Sequence, residues 1–145
     1  MIPGPLHRDG EVFCEHWVSL EWPAGRLGVP VRWSGGEVAD VAALDTGAPF
    51  CVLQPELGDR LGSDGEVTRQ LIRGAWRTGR LVRAPLTLLA DDGGELVDAL
   101  ELEATVFLLD EEVFDLPTVL GLNGFLERLR WAVDPVAETF YFGAY

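Results

Sequence analysis

Asp45, Thr46 and Gly47 stand in the middle of an apolar run, VAALDTGAPFCVL (residues 41–53). A carboxylate on a short loop between two apolar strands is well placed to present an acid or a base to a substrate. Hydrolysis by water needs both: a base to activate the water and an acid to protonate the group that it attacks. Two carboxylates a few Å apart can supply the pair, because like charges so close do not both ionise and one proton is shared. Such a pair titrates as a unit. Thr46 would fix the loop through its hydroxyl, and Gly47 would let the backbone approach the carboxylate closely. The competing reading is an ordinary turn, since Asp, Thr and Gly all favour turns.

Other reactive side chains offer less. Cys14 and Cys51 are too few for a disulfide framework and read as small buried residues. His7 and His16 have no usual zinc spacing with them, and CEH (14–16) is a weak metal signal. No metal or organic cofactor is implied. The 24 acidic residues outnumber 11 basic ones, all Arg, for a formal charge of −13. Phosphate backbones are bound by clustered positive charge, so nucleic acid is not an expected partner. Arg69, Arg73, Arg77, Arg80 and Arg83 form a local basic stretch, read as solvated, substrate-facing or partner-facing.

The elements that must position the loop are mostly β. EVFCEHWVSLEW (11–22) alternates as a half-buried strand should, and GVPVRW (28–33) and EVADVAAL (37–44) follow, separated by a turn at 34–36. FCVL (50–53) leaves the loop as a short apolar strand, and PELGDRLG (55–62) can form a helical turn behind Pro55. EVTRQLI (66–72) and RLVRAPLTLLA (80–90) flank RGAWRTG (73–79), which reads as a hairpin tip bounded by Gly74 and Gly79. Beyond a DDGG turn comes ELVDALELEATVFLL (95–109), a loop over 110–117, and the apolar TVLGL (118–122). NGFLERLR (123–130) predicts a short helix capped by Asn123 with Phe125, Leu126 and Leu129 on its inner face. WAVD (131–134) and ETFYF (138–142) close the chain as a hairpin around Pro135.

The 145 residues, 48% apolar, fit one all-β domain with a single core. No apolar run approaches the roughly 18 to 20 residues that span a bilayer. MIPGPLHRDGEVF has neither a basic nor an apolar leader segment, so no membrane partner and a cytoplasmic location are the expectations.

Two motifs stand in a telling order. ALDTGA (43–48) is followed by the hairpin near 70–86, then by VLG (119–121) leading into FLERL (125–129). Over about residues 12–142 this arrangement resembles the retropepsin-like aspartic proteases. Pro49 and Phe50 after Ala48, and the bulky Trp76 and Arg77 between Gly74 and Gly79, depart from that family's pattern.

The resemblance implies a closed acid-protease-like barrel with a flap hairpin and one short C-terminal helix. It implies an aspartic endopeptidase in which Asp45, Thr46 and Gly47 form the catalytic loop. Ala48, Gly74, Ala75, Trp76, Gly79, Leu120 and Gly121 would meet a polypeptide substrate. Trp76 could equally be a surface anchor packed on its neighbours, and Gly121 could serve close strand–helix approach as well as the loop. With one Asp-Thr-Gly in the chain, the resemblance implies a C2 homodimer with Asp45 of each subunit at the axis and the terminal strands in the interface. The alternative is a non-catalytic dimerisation or peptide-binding module on the same fold.

Overall fold

The computed structural model describes residues 3–33, 40–58, 61 and 64–145. The chain runs through twelve strands: β1 (Leu6–Arg8), β2 (Glu11–Cys14), β3 (His16–Ser19), β4 (Gly28–Trp33), β5 (Asp40–Leu44), β6 (Cys51–Leu53), β7 (Glu66–Ile72), β8 (Ala75–Asp92), β9 (Glu95–Leu109), β10 (Thr118–Leu120), β11 (Leu129–Asp134) and β12 (Thr139–Ala144). Hydrogen bonding closes six of them into a barrel, in the order β4–β5–β10–β6–β9–β8 and back to β4. Strand β7 extends β8 outside that ring, β1 pairs with β2, and β3, β12 and β11 form a separate three-stranded sheet. The all-β class and the closed barrel expected from the sequence are present.

Alternation of side chains explains how the barrel fills. Val82, Ala84, Leu86 and Leu88 of β8 point into the main core, while Arg83 and Pro85 between them do not. The three-residue strands β6 and β10 are buried throughout because both of their faces are covered, and Thr118 is their one polar residue. Cys51, Leu53 and Leu120 enter the main core, whereas Val52 and Val119 join Phe107, Leu109 and Val113 in a second, smaller cluster. That cluster supports the site described below. Phe140 and Phe142 of the aromatic C-terminal strand are fully buried in the main core.

Four local expectations are corrected. The stretch 11–22 is interrupted at Glu15, giving β2 and β3, because β2 turns to pair with β1 while β3 pairs with β12. The hairpin tip is the two-residue turn Arg73-Gly74, not the segment 73–79: Ile72 pairs with Ala75, Leu71 with Trp76, and Thr68 with Gly79. Leu6–Arg8, left outside the sequence pattern, pairs as a strand. The C-terminal helix is one 3-10 turn, Leu126–Arg128, with no side-chain cap from Asn123. Instead, the Asn123 N–H donates to the Pro49 carbonyl (2.8 Å) and the Gly124 N–H donates to Glu127 Oε1 (2.8 Å), so the chain is held to a neighbouring loop. Of the other expected pieces, the α-helical turn is present at Pro55–Gly58, and 59, 60 and 62 lie outside the described residues. The expected turn at 34–36 and residues 37–39 of the third strand also lie outside them.

Candidate active site

Asp45 follows directly on β5, and its position is set by β10. These two strands run parallel, with Ala43 beside Val119 and Leu44 beside Leu120, so the register brings Asp45 next to Gly121. The Asp45 N–H donates to the Leu120 carbonyl at 3.1 Å. The loop then closes on itself: the Ala48 N–H donates to the Asp45 carbonyl (3.1 Å) and the Gly47 N–H to Asp45 Oδ1 (3.0 Å). One carboxylate oxygen is thereby aimed by the backbone two residues on, an Asx-type turn that Gly47 closes closely, since a Cβ there would meet Oδ1 at 3.2 Å.

Beyond Gly121 the chain zips onto the same loop through Leu122 N–H to the Ala48 carbonyl (2.9 Å) and Asn123 N–H to the Pro49 carbonyl. A side chain at Gly121 would run into the backbone of Phe50, so this close approach requires glycine. The two separated motifs of the sequence are therefore hydrogen-bonded to one another at residues 45–49 and 120–123.

The second carboxylate oxygen, Oδ2, faces Arg26 Nη1 at 3.3 Å. Antiparallel pairing of β4 with β5, Gly28 beside Ala43, brings residue 26 level with residue 45. The bond from Leu44 N–H to the Leu27 carbonyl (2.7 Å) continues that ladder to the site. Thr46 is exposed, and its hydroxyl has no hydrogen-bond partner among the described residues.

Asp45 opens onto a groove of about 270 Å³. Its apolar lining includes Phe50, Val52, Phe107, Leu116 and Val119, mostly drawn from the second cluster and its packed neighbours. The β7–β8 hairpin supplies Gln70, Leu71, Ile72 and Arg73. Loop 110–117 is held at the groove by Gln54, whose Nε2 donates to the Val113 (2.8 Å) and Leu116 (3.0 Å) carbonyls while Oε1 accepts from the Val113 N–H (3.1 Å).

Of the residues singled out in the sequence, Asp45, Gly47 and Ala48 line the groove. Leu120 is buried in the main core and acts on the site through its carbonyl, and Gly121 packs on Phe50 behind it. Gly74 occupies the hairpin turn and Ala75 begins β8, neither lining the groove. Trp76 is 61% exposed with the Arg69 guanidinium 5.2 Å over its ring, and it too stands outside the lining. Gly79 sits at the base of the hairpin, where a Cβ would strike Leu108 and the Phe107 ring.

The 70–86 hairpin and Arg73 were singled out and residues 70–73 do line the groove, whereas Arg26, Phe107 and Leu116 were not singled out. Of these, Arg26 had a partial signal, since the strand 28–33 could pair with the strand before Asp45, but the register that sets it level with the carboxylate comes from the fold.

The cysteines take no part. Burial pushes the Cys51 thiol up to about 12, outweighing backbone hydrogen bonding at Gly121 and Cys51, so it is not a nucleophile near neutral pH. Burial also raises Cys14, opposed by the nearby charge of Arg130. The break at Glu15 separates Cys14 from His16, whose ring packs 5.3 Å from Phe142. Among the described residues no group of three or more His, Cys, Asp or Glu is placed to hold a metal ion, and no helix is long and apolar enough to cross a membrane.

The fold just described is similar to that in the crystal structure of a retropepsin-like aspartic protease from Rickettsia conorii, with a TM-score of 0.53 over 87% of each chain. At 15% identity the likeness is one of fold. The chain matches no protein-family profile and no curated protein sequence.

Proposed function

We propose that this protein is an aspartic endopeptidase that works as a homodimer. The observation that carries the reading is the Asp45 carboxylate lining a largely apolar groove, with Oδ1 held by the Gly47 N–H and a β-hairpin contributing to the same lining. The chain has a single Asp-Thr-Gly, so the second carboxylate must come from a second copy related by a two-fold axis. One Asp45 then takes a proton from the lytic water while its partner, holding the shared proton, protonates the substrate carbonyl. Thr46, exposed and with no hydroxyl partner among the described residues, belongs to the face that the second copy approaches. The hairpin acts as a flap, and an extended peptide lies beneath it as an added strand. The apolar lining accommodates apolar side chains next to the bond that is cut. Activity in this scheme needs no metal or organic cofactor.

A second reading is favoured by one observation. Arg26 occupies Oδ2 of Asp45 in the single chain, which suits a peptide-binding or dimerisation module in which the carboxylate is neutralised rather than catalytic.

Cleavage of a peptide library between about pH 4 and 7 by the wild type and by Asp45→Asn separates the two. The protease reading expects cleavage by the wild type alone, together with dimers in sedimentation. Cleavage that survives Asp45→Asn, or peptide binding without cleavage, sinks it.

A further inference from the structure

We infer that Arg73 makes the groove selective for peptides that carry a carboxylate beside an apolar stretch. This rests on reading the groove as a peptide-binding cleft, but not on hydrolysis there.

The first observation is conformational. Among the described residues, three two-residue turns join antiparallel strands with both φ angles positive: Asp9-Gly10 (52°, 81°), Arg73-Gly74 (51°, 79°) and Gly93-Gly94 (65°, 92°). Such turns favour Asp-Gly, Asn-Gly and Gly-Gly, because most side chains crowd the backbone in the left-handed region. Two of the three conform. Arg73 does not, and a local rule broken at one position points to a role for the side chain placed there.

The second observation is electrostatic. Arg73 lines the groove. On the same hairpin and its extension, Arg69 lies over Trp76, Arg77 pairs with Glu111 (3.4 Å) and Arg83 pairs with Glu103 (3.5 Å). Arg73 has no ion pair or hydrogen bond among the described residues. The charged residues lining the groove are Arg26, Asp45 and Arg73, and the first two face each other at 3.3 Å. One guanidinium is left over in a groove of a chain whose formal charge is −13. Its planar fork of N–H donors matches a carboxylate and selects against the neutral amide of the same shape. The carboxylate can come from a substrate Asp or Glu side chain or from a peptide C-terminus.

The test uses reduced-amide peptides, which cannot be hydrolysed, with a central apolar pair. Glu is compared with Gln at each flanking position, and a free C-terminus with an amidated one. Fluorescence anisotropy reads binding to the full-length wild type and to Arg73→Asn, a variant whose new residue the turn accepts better than arginine.

The wild type is expected to bind an acidic form about fivefold or more tightly than its neutral counterpart. Arg73→Asn brings that ratio close to one, whatever its effect on the affinity for the fully neutral peptide. A preference confined to Glu assigns the side chain, and one confined to the free acid assigns the C-terminus. Equal binding of acidic and neutral peptides by the wild type, or a preference that persists in Arg73→Asn, overturns the inference. Hydrolysable versions are run alongside. Cleavage without an acidic preference counts against Arg73 alone, preference without cleavage counts against the protease reading alone, and no binding of any peptide overturns both.

Discussion

Arg26 Nη1 stands 3.3 Å from Asp45 Oδ2, although 19 residues separate them in the chain. The side chains remain 42% and 32% exposed, and an ion pair that open contributes less than about 1 kcal/mol. It therefore adds little to folding stability. Arg26→Gln is expected to shift Tm by less than about 4 °C, and Asp45→Asn by a similarly small amount, because the amide oxygen can still accept the Gly47 N–H. On the protease reading, Asp45→Asn lowers cleavage about a thousandfold or more. Calorimetry paired with a cleavage assay checks both. A Tm loss well beyond that range in Arg26→Gln would make the pair a structural clamp instead.

Gly121 and Gly143 give a matched comparison in close packing. A methyl group at Gly121 meets the Phe50 backbone, which cannot move without dragging the Asp45 loop. At Gly143 the nearest atoms lie 3.5 Å away, ordinary contact. Gly121→Ala is expected to cost about 2–4 kcal/mol or to prevent folding, and Gly143→Ala to be within about 0.5 kcal/mol of the wild type. Urea denaturation of the two variants measures the difference. Equal midpoints would show that the 45–49 and 120–123 segments part easily.

Gln54 clamps the loop that carries Leu116 into the groove. Gln54→Leu leaves the Val113 N–H and the Val113 and Leu116 carbonyls without this partner, an expected loss of about 2–3 kcal/mol. Amide exchange at Val113 should accelerate by more than exchange in β8 and β9 does. Gln54→Glu retains the acceptor for Val113 but sets a carboxylate against two carbonyls, so it should be no milder than Gln54→Leu.

Cys51 links stability to alkaline pH. Its thiol is raised from 9.0 to about 12 in the folded protein, so the unfolded chain loses this proton first as pH rises. The contribution is fully present below pH 9 and is lost progressively between about 9 and 12. Unfolding midpoints in reducing buffer should therefore fall from pH 8 to pH 10.5, and the fall should be shallower in Cys51→Ala. Alkylation of the native protein at pH 8 should be slow at both buried cysteines. Rapid labelling of Cys51 at that pH would contradict its burial.

The amino-acid sequence alone determined the period-two segments and their punctuation. GVPVRW, EVTRQLI and ELVDALELEATVFLL each became a strand over the same residues, because β-branched and apolar residues set between turn signals favour extended pairing. The loop character of residues 45–50 and the glycine requirement at 121 were likewise visible in residue type. The tertiary structure decided what depends on register. It set Asp45 beside Gly121 through a parallel pair 76 residues apart, brought Arg26 level with Asp45, and reduced the hairpin tip to Arg73-Gly74. It also turned NGFLERLR from a helix into a single 3-10 turn, by giving the backbone of 122–123 better partners in the 48–49 loop. Side-chain pattern says which face of a strand is buried, but two strands with the same pattern can slide past each other by two residues without changing it. Only the closed barrel removes that freedom.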